Sequence, residues 1–254
     1  MNELVIKGKV IGQGRPLVCV PVMERERDDI IKEITYLSQS RADMIEWRLD
    51  VFSGYDDCNA VREVLEAVTP ILGEKIFLYT FRSSKQGGQA EIDAETLENL
   101  QELAMESGCV DLVDLEYFEE EHPIRKIRKL QESGVHVVTS HHDFSETPEP
   151  EVMQMLLEKM CAGGADIVKL AVMPQNVSDV LNLLAVTARF HEENPDTPII
   201  TMSMGKIGNI SRLCGETFGS CVTFGAHEKP SAPGQYEMNQ LLGILDTIHE
   251  SNDR

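Results

Sequence analysis

Asp166-Ile167-Val168-Lys169-Leu170-Ala171-Val172 is a run of apolar, largely branched residues interrupted by one lysine. It has the length of a strand. Because polar and apolar positions do not alternate within it, it reads as a strand covered on both faces, the habit of parallel sheets. Lysine is strongly disfavoured in such a place. Burial strips an ammonium of hydration and favours the free amine, a nucleophile suited to attacking a carbonyl and forming a Schiff base. The alternative is a lysine at the strand end whose head snorkels into water beside Asp166. This window by itself leaves both readings open.

The same pattern extends outward over the whole chain. Short apolar runs occupy 17–22, 43–49, 76–81, 110–116, 135–140, 198–204 and 221–225, and amphipathic stretches with helix punctuation lie between them. Thr147-Pro148 sets a capping hydroxyl before a proline, and Gly163-Gly164 closes the same helix. Asn176 with Asp179 resembles a capping box ahead of Val180-Leu181. Gly108 and Gly134 stand where a helix must stop and turn into the next strand.

Strict alternation of strand and helix predicts a parallel sheet with right-handed crossovers. Eight such units in 254 residues match an α/β fold of the (β/α)8 TIM-barrel type. The competitor is an open doubly wound sheet. Closure is favoured because Pro21-Val22-Met23-Glu24 follows the first strand where a glycine-rich dinucleotide fingerprint would stand. Polar residues also recur at the C-terminal ends of the strands, where barrel active sites gather. Residues 4–16, two β-like halves around Lys7-Gly8-Lys9, are expected to form a hairpin closing the bottom of the barrel. With no linker, low-complexity segment or repeat, residues 1–254 are expected to be one catalytic domain.

The formal charge of −20 argues against binding nucleic acid or an anionic membrane surface. An anionic substrate must then be held by arginines placed locally against the overall field. No apolar span is long enough to cross a bilayer, and the first residues lack the build of a signal peptide, so the expected location is the cytoplasm. The six cysteines are scattered singly with no C-x-x-C, which suits reduced core residues better than a disulfide framework or a zinc site.

The strand ends form a coherent set: Glu46-Trp47-Arg48-Leu49-Asp50, Thr80-Phe81-Arg82, Asp114-Leu115-Glu116, Thr139-Ser140-His141-His142-Asp143, Lys169, and Met202-Ser203-Met204-Gly205. Each has a dull reading alone. Glu46 and Arg48 point the same way by strand period and could be an internal ion pair. His141-His142-Asp143 could be a solvated loop, and a histidine pair without a third ligand is seldom a metal site. Together they gather a lysine, a histidine, two arginines and several carboxylates at one rim.

The segments Glu46-Trp47-Arg48-x-Asp50, Thr80-Phe81-Arg82-Ser83, Ser140-His141-His142-Asp143-Phe144, Val168-Lys169-Leu170-Ala171-Val172-Met173-Pro174, Ser203-Met204-Gly205, Ser211-Arg212 and Ser231-Ala232-Pro233-Gly234-Gln235 resemble, in order and spacing, the type I 3-dehydroquinate dehydratase (3-dehydroquinase) family. The resemblance implies a TIM barrel, usually a homodimer, that needs no metal or other cofactor. It implies dehydration of 3-dehydroquinate to 3-dehydroshikimate, the third step of the shikimate pathway. Lys169 would attack the C3 ketone to give an imine that acidifies the C2 hydrogen. His142 would be the acid and base in turn, while His141, pointing the other way, has no role. Arg48, Arg82 and Arg212 would hold the substrate carboxylate and hydroxyls. Glu46 would bond a hydroxyl and orient Arg48. Ser231 and Gln235 would belong to a lid over the substrate.

Two positions depart from the family pattern. Many members have a glutamate where Lys85-Gln86-Gly87-Gly88 has Gln86, and a serine where this chain has Pro21. The first bears on how His142 is charged and held. Gln86 either contacts the ring or faces solvent, leaving that task to Glu46 or Glu116. A class I aldolase or transaldolase would share the fold and Lys169, with Met204-Gly205-Lys206-Ile207-Gly208 as a partial phosphate loop, but three arginines and the 231–235 lid favour a carboxylate substrate. A non-catalytic barrel would have no use for the lysine–histidine pair.

Overall fold

The structure, a computed structural model, describes residues 3–252. A two-stranded hairpin, β1 (Leu4–Ile6) and β2 (Lys9–Ile11), precedes eight strands: β3 (Leu17–Val22), β4 (Met44–Arg48), β5 (Ile76–Thr80), β6 (Leu112–Glu116), β7 (His136–Asp143), β8 (Ile167–Val172), β9 (Ile199–Ser203) and β10 (Val222–Phe224). The helices are α1 (Arg27–Ser38), α2 (Cys58–Val68), α3 (Ala94–Ser107), α4 (Pro123–Glu132), α5 (Pro150–Ala162), α6 (Val177–Glu193), the short α7 (Gly205–Gly208) and α8 (Gly215–Phe218), and α9 (Met238–Asn252). Each barrel strand falls within its expected run or, for β7, extends beyond it.

The sheet order is β10-β3-β4-β5-β6-β7-β8-β9, with every neighbouring pair parallel. Closure between β9 and β10 rests on few bonds. Cys221 N–H donates to Ile199 O at 2.8 Å, and the Ser220 hydroxyl accepts from Thr201 N–H at 3.0 Å and reaches Thr201 O at 3.4 Å. A side chain thus stands in for part of the ladder at the seam. The open doubly wound alternative is ruled out by this closure.

Strand period sorts the side chains into two layers. Val18, Ile45, Phe77, Val113, Val137, Val168 and Ile199 pack outward under the helices, whereas Cys19, Met44, Ile76, Leu112, Val138, Ile167 and Ile200 fill the lower barrel. Ile6 and Ile11 of the hairpin join that interior cluster, so β1 and β2 close the N-terminal mouth as expected. Lys7 and Gly8 turn the hairpin with φ of 47° and 75°, the left-handed pair that a two-residue turn matched to strand twist requires.

Helix caps follow the sequence with one correction. The Asn176 and Asp179 capping box is present, and Gly108 ends α3 with φ of 65°. The proline in the first turn of α5 is Pro150, not Pro148, because the helix begins three residues beyond Thr147, whose hydroxyl is buried without a partner. Among the described residues, no helix is long and apolar enough to cross a membrane.

Candidate active site

The C-terminal half of the barrel is polar where its lower half is apolar. The inward parity of β4 continues from Met44 to Glu46 and Arg48, that of β6 from Leu112 to Asp114 and Glu116, and that of β8 from Ile167 to Lys169 and Ala171. Lys169 therefore faces the barrel interior, with 4% of its surface exposed. The strand-end snorkel reading fails because β8 runs on through Val172 and pairs with β9 beyond the lysine.

Lys169 Nζ stands 3.1 Å from Asp114 Oδ2 and 4.6 Å from the centre of the Phe224 ring. Asp114 also takes Arg82 Nη2 at 2.7 Å and the Ser140 hydroxyl at 2.6 Å. Burial pushes the Asp114 carboxyl up, but Arg82 and then Lys169 outweigh it and hold it at about 2. Arg82 further donates to Glu116 Oε1 and Ser140 Oγ, both at 2.9 Å. Burial works against its charge, and Asp114, Glu116 and Glu46 overcome that and raise its pKa. The result is a fixed lattice of opposite charges beneath the lysine.

Arg48 is held differently from the expectation. Its partner is Asp50, which it meets through Nε and Nη2 at 2.8 Å each, while Glu46 accepts from the Thr80 hydroxyl at 2.9 Å. The single 3-10 turn at Leu49–Val51 folds the Asp50 carboxylate back onto the guanidinium, a contact that strand parity alone does not provide. Asp50 also accepts from the N–H groups of Arg82 and Gln89 at 3.3 and 3.0 Å. It thereby ties the end of β4 to the segment carrying Gln86.

His142 lies on β7, which extends to Asp143 and pairs with β8 as far as Val172, so the His141-His142-Asp143 segment is strand and not loop. His141 points outward, edge-on to Phe118. The His142 N–H and ring Nδ1 both meet Gln86 Oε1 at 2.9 Å. A backbone N–H can only donate, which fixes the facing atom as the amide oxygen, so the ring must donate through Nδ1–H. Nε2 then carries the free lone pair. Burial, followed by the cations Arg82, Lys169 and Arg48 and by His141, pushes the imidazole well below its ordinary pKa. Gln86 is therefore buried against the ring. The solvent-facing alternative does not hold, and neither Glu46 nor Glu116 contacts His142. Gly88 allows this placement, since a Cβ there would collide with the Arg82 carbonyl.

Arg212 is 2% exposed, yet among the described residues no carboxylate pairs with it. Nη2 donates to Pro233 O at 3.1 Å, Nη1 lies 3.8 Å from Met202 Sδ, and Nε has no partner. Burial, only partly offset by Tyr236, lowers its pKa to about 10. Pro233 belongs to the 231–235 segment, where the Gln235 amide bonds Ser231 N–H at 2.7 Å and Ser231 Oγ at 2.9 Å. Gly234, with φ of 81°, packs so closely on the Gly205 backbone that no side chain fits. Gly205 N–H donates to Pro233 O, so that amide is not free to hold a phosphate.

One cavity is lined by Glu46, Arg48, Arg82, Gln86, His142, Lys169, Ser231 and Gln235, together with Ala171, Met202, Met204, Phe144 and Phe224. Glu116 reaches Arg82 from behind and does not line it, and Pro21 faces Glu46 across the β3–β4 pairing without lining it either. Asp114 and Asp50 were not among the residues expected to act, although Asp114 shares strand parity with Glu116 and that signal was available. A model of the type I 3-dehydroquinase family matches residues 18–252. The chain belongs to that family. It is 42% identical to the 3-dehydroquinate dehydratase of Clostridium novyi over 98% of this chain and 99% of the relative. Against that of Bacillus subtilis it is 41% identical, with 99% of each chain covered. Among solved structures it is similar to the type I 3-dehydroquinate dehydratase of Clostridium difficile with covalently modified comenic acid, at TM-score 0.94 and 41% identity, covering 98% of this chain and 99% of that one. The enzyme from Geobacillus kaustophilus gives TM-score 0.94 at 34% identity, over 100% and 98%.

Proposed function

We propose that this protein is a hydro-lyase that converts 3-dehydroquinate to 3-dehydroshikimate and water through an imine on Lys169, a step of the shikimate pathway toward aromatic amino acids. The observation that carries the reading is a buried interior lysine sharing one cavity with a buried histidine, with Arg212 behind that lining against Met202 and Pro233 and without a carboxylate partner among the described residues. Arg48 and Arg82 are already neutralised by Asp50, Asp114 and Glu116. Arg212 is left to receive an anion, and a bidentate fork suits the substrate carboxylate.

In this mechanism the free Lys169 amine adds to the C3 ketone, and the carbinolamine loses water to give a protonated imine. His142 Nε2 removes a proton from C2, forming an enamine. The same proton returns to the C1 hydroxyl as the C1–O bond breaks, leaving a conjugated iminium that water hydrolyses to product and amine. Asp114 and Ser140 keep Lys169 and Arg82 aimed from below, and Glu46, Arg48 and Arg82 meet the hydroxyls. Ser231 and Gln235 close over the ring and exclude bulk water. The family resemblance extends the proposal to one catalytic domain, a homodimer and a cytoplasmic setting; light scattering coupled to gel filtration checks the dimer.

The deciding test is turnover of 3-dehydroquinate, followed by the rise of the conjugated enone, with borohydride trapping and peptide mass analysis. A reduced adduct at Lys169, absent in Lys169→Ala, is the expected result. Full turnover in that variant, or trapping at another lysine, refutes the mechanism.

A further inference from the structure

A second cavity, of about 680 Å³, opens between α3 and α4 and shares no lining residue with the one above. Its volume falls in the range of small-molecule sites, roughly 300–1,000 Å³. The apolar lining comes from Phe81, Ile92, Leu97 and Leu115. Lys129 bridges the rim by bonding Glu98 and Glu102 of α3 from α4 at 3.2 and 2.8 Å.

Three hydrogen-bonding groups lining this cavity have no partner among the described residues. Gln101 is only 7% exposed and makes no side-chain hydrogen bond. The Ser83 hydroxyl is buried and unpaired. Glu116 spends Oε1 on Arg82 and the Ser83 N–H, leaving Oε2 unbonded. Of these, the Ser83 hydroxyl is the buried orphan, whereas the Gln101 amide and Glu116 Oε2 are unpaired groups on nearly buried residues of the lining, and polar groups so placed mark a site for a ligand. All three can accept, and an ammonium supplies three donors. The rim favours the same charge. Glu91, Glu95, Glu98, Glu119, Glu120 and Glu121 line it, and three of its cations, Lys85, Lys126 and Lys129, are already paired with glutamates.

We infer that the α3–α4 groove is a binding site for a small apolar amine, whose ammonium meets Glu116 Oε2 and Gln101 while its apolar body lies on Phe81 and Leu115. The site communicates with the barrel interior through two lining residues, Asp114 and Glu116, both of which hold Arg82. Glu116 Oε1 holds Arg82 at 2.9 Å. A cation on Oε2 competes for that carboxylate and loosens Arg82, which the proposed function sets against the substrate hydroxyls. The binding itself does not depend on that functional reading; only its kinetic consequence does.

Phenethylammonium is the probe, titrated by calorimetry into the full chain at low salt. Saturable one-to-one binding is expected. It should weaken roughly tenfold or more in Gln101→Leu, which removes one hydrogen bond to a charged group, and in Leu97→Trp, which pushes an indole into the apolar part of the cavity. Neither substitution touches the catalytic cavity, so turnover without amine should be unchanged, and melting curves verify folding. The amine should raise KM for 3-dehydroquinate, and because such coupling is reciprocal its binding should persist, though weakened, in enzyme whose Lys169 carries a borohydride-trapped adduct. Absence of binding at millimolar amine, binding indifferent to both variants, or binding lost in the trapped enzyme overturns the inference. If no turnover or trapping occurs with any variant, the functional reading has failed, and the calorimetric arm still decides the site.

Discussion

Replacing Gln86 by glutamate places a carboxylate where an amide oxygen now stands 2.9 Å from His142 Nδ1. At that distance, with an effective dielectric of about 20, attraction between carboxylate and imidazolium is about 6 kcal/mol. Position 86 is 2% exposed, so the new charge loses hydration and much of that attraction is cancelled. A single opposite charge typically moves a pKa by about 1–3 units, and we expect about 1–2 here, or roughly 1.4–2.7 kcal/mol. Its direction follows from the proton count. His142 acts as a base in its neutral form, and burial with surrounding cations holds its pKa well below the ordinary value. The native enzyme should therefore keep its base form into acidic solution. A carboxylate at 86 stabilises the protonated ring and raises the pKa, so the acidic limb of kcat/KM against pH should move upward by about 1–2 units. NMR titration of the His142 ring should move in parallel, while Gln86→Ala should lower kcat by loss of ring orientation without such an upward shift. An acidic limb that stays in place in Gln86→Glu refutes the coupling and would make the contact orientational alone.

His142→Ala should accumulate a trappable adduct at Lys169 while turnover falls by about 10²–10⁴-fold, the usual contribution of a general acid–base group; a loss of only a few-fold would move the proton transfer to another residue. Arg212→Lys keeps the charge but loses the fork, so KM should rise well beyond any change in kcat, and an unchanged KM would shift carboxylate binding to Arg48 or Arg82. Ser220→Ala removes the hydroxyl that accepts Thr201 N–H at the β9–β10 seam. Leaving that donor buried and unpaired should cost about 1–3 kcal/mol in urea unfolding, and a smaller loss would show that water completes the seam.

Much of the fold was legible because period is a property of chain neighbours. The run at 166–172 needed no partner to declare itself a covered strand, and eight such runs separated by capped helices predicted a closed barrel. Parity along a strand also set Glu46 and Arg48 on one side. What parity does not supply is which charges meet. Arg48 was expected beside Glu46, two residues away on the same face, and a single turn delivered Asp50 to it instead. The boundary of α5 was missed because Pro148 and Pro150 offer the same local signal, and the helix starts at the second.

The sequence by itself determined the alternation of elements and the inventory of reactive side chains, since each depends on residues a few positions apart. Only the tertiary structure decided that Asp114, 55 residues before Lys169, is its ion-pair partner, that Gln86 fixes the tautomer of His142 from 56 residues away, and that Arg212 is buried with no carboxylate beside it among the described residues. Those facts depend on how barrel closure brings distant strand ends together. The electrostatics of a buried group are set by what surrounds it in space, and no local pattern in the chain encodes that.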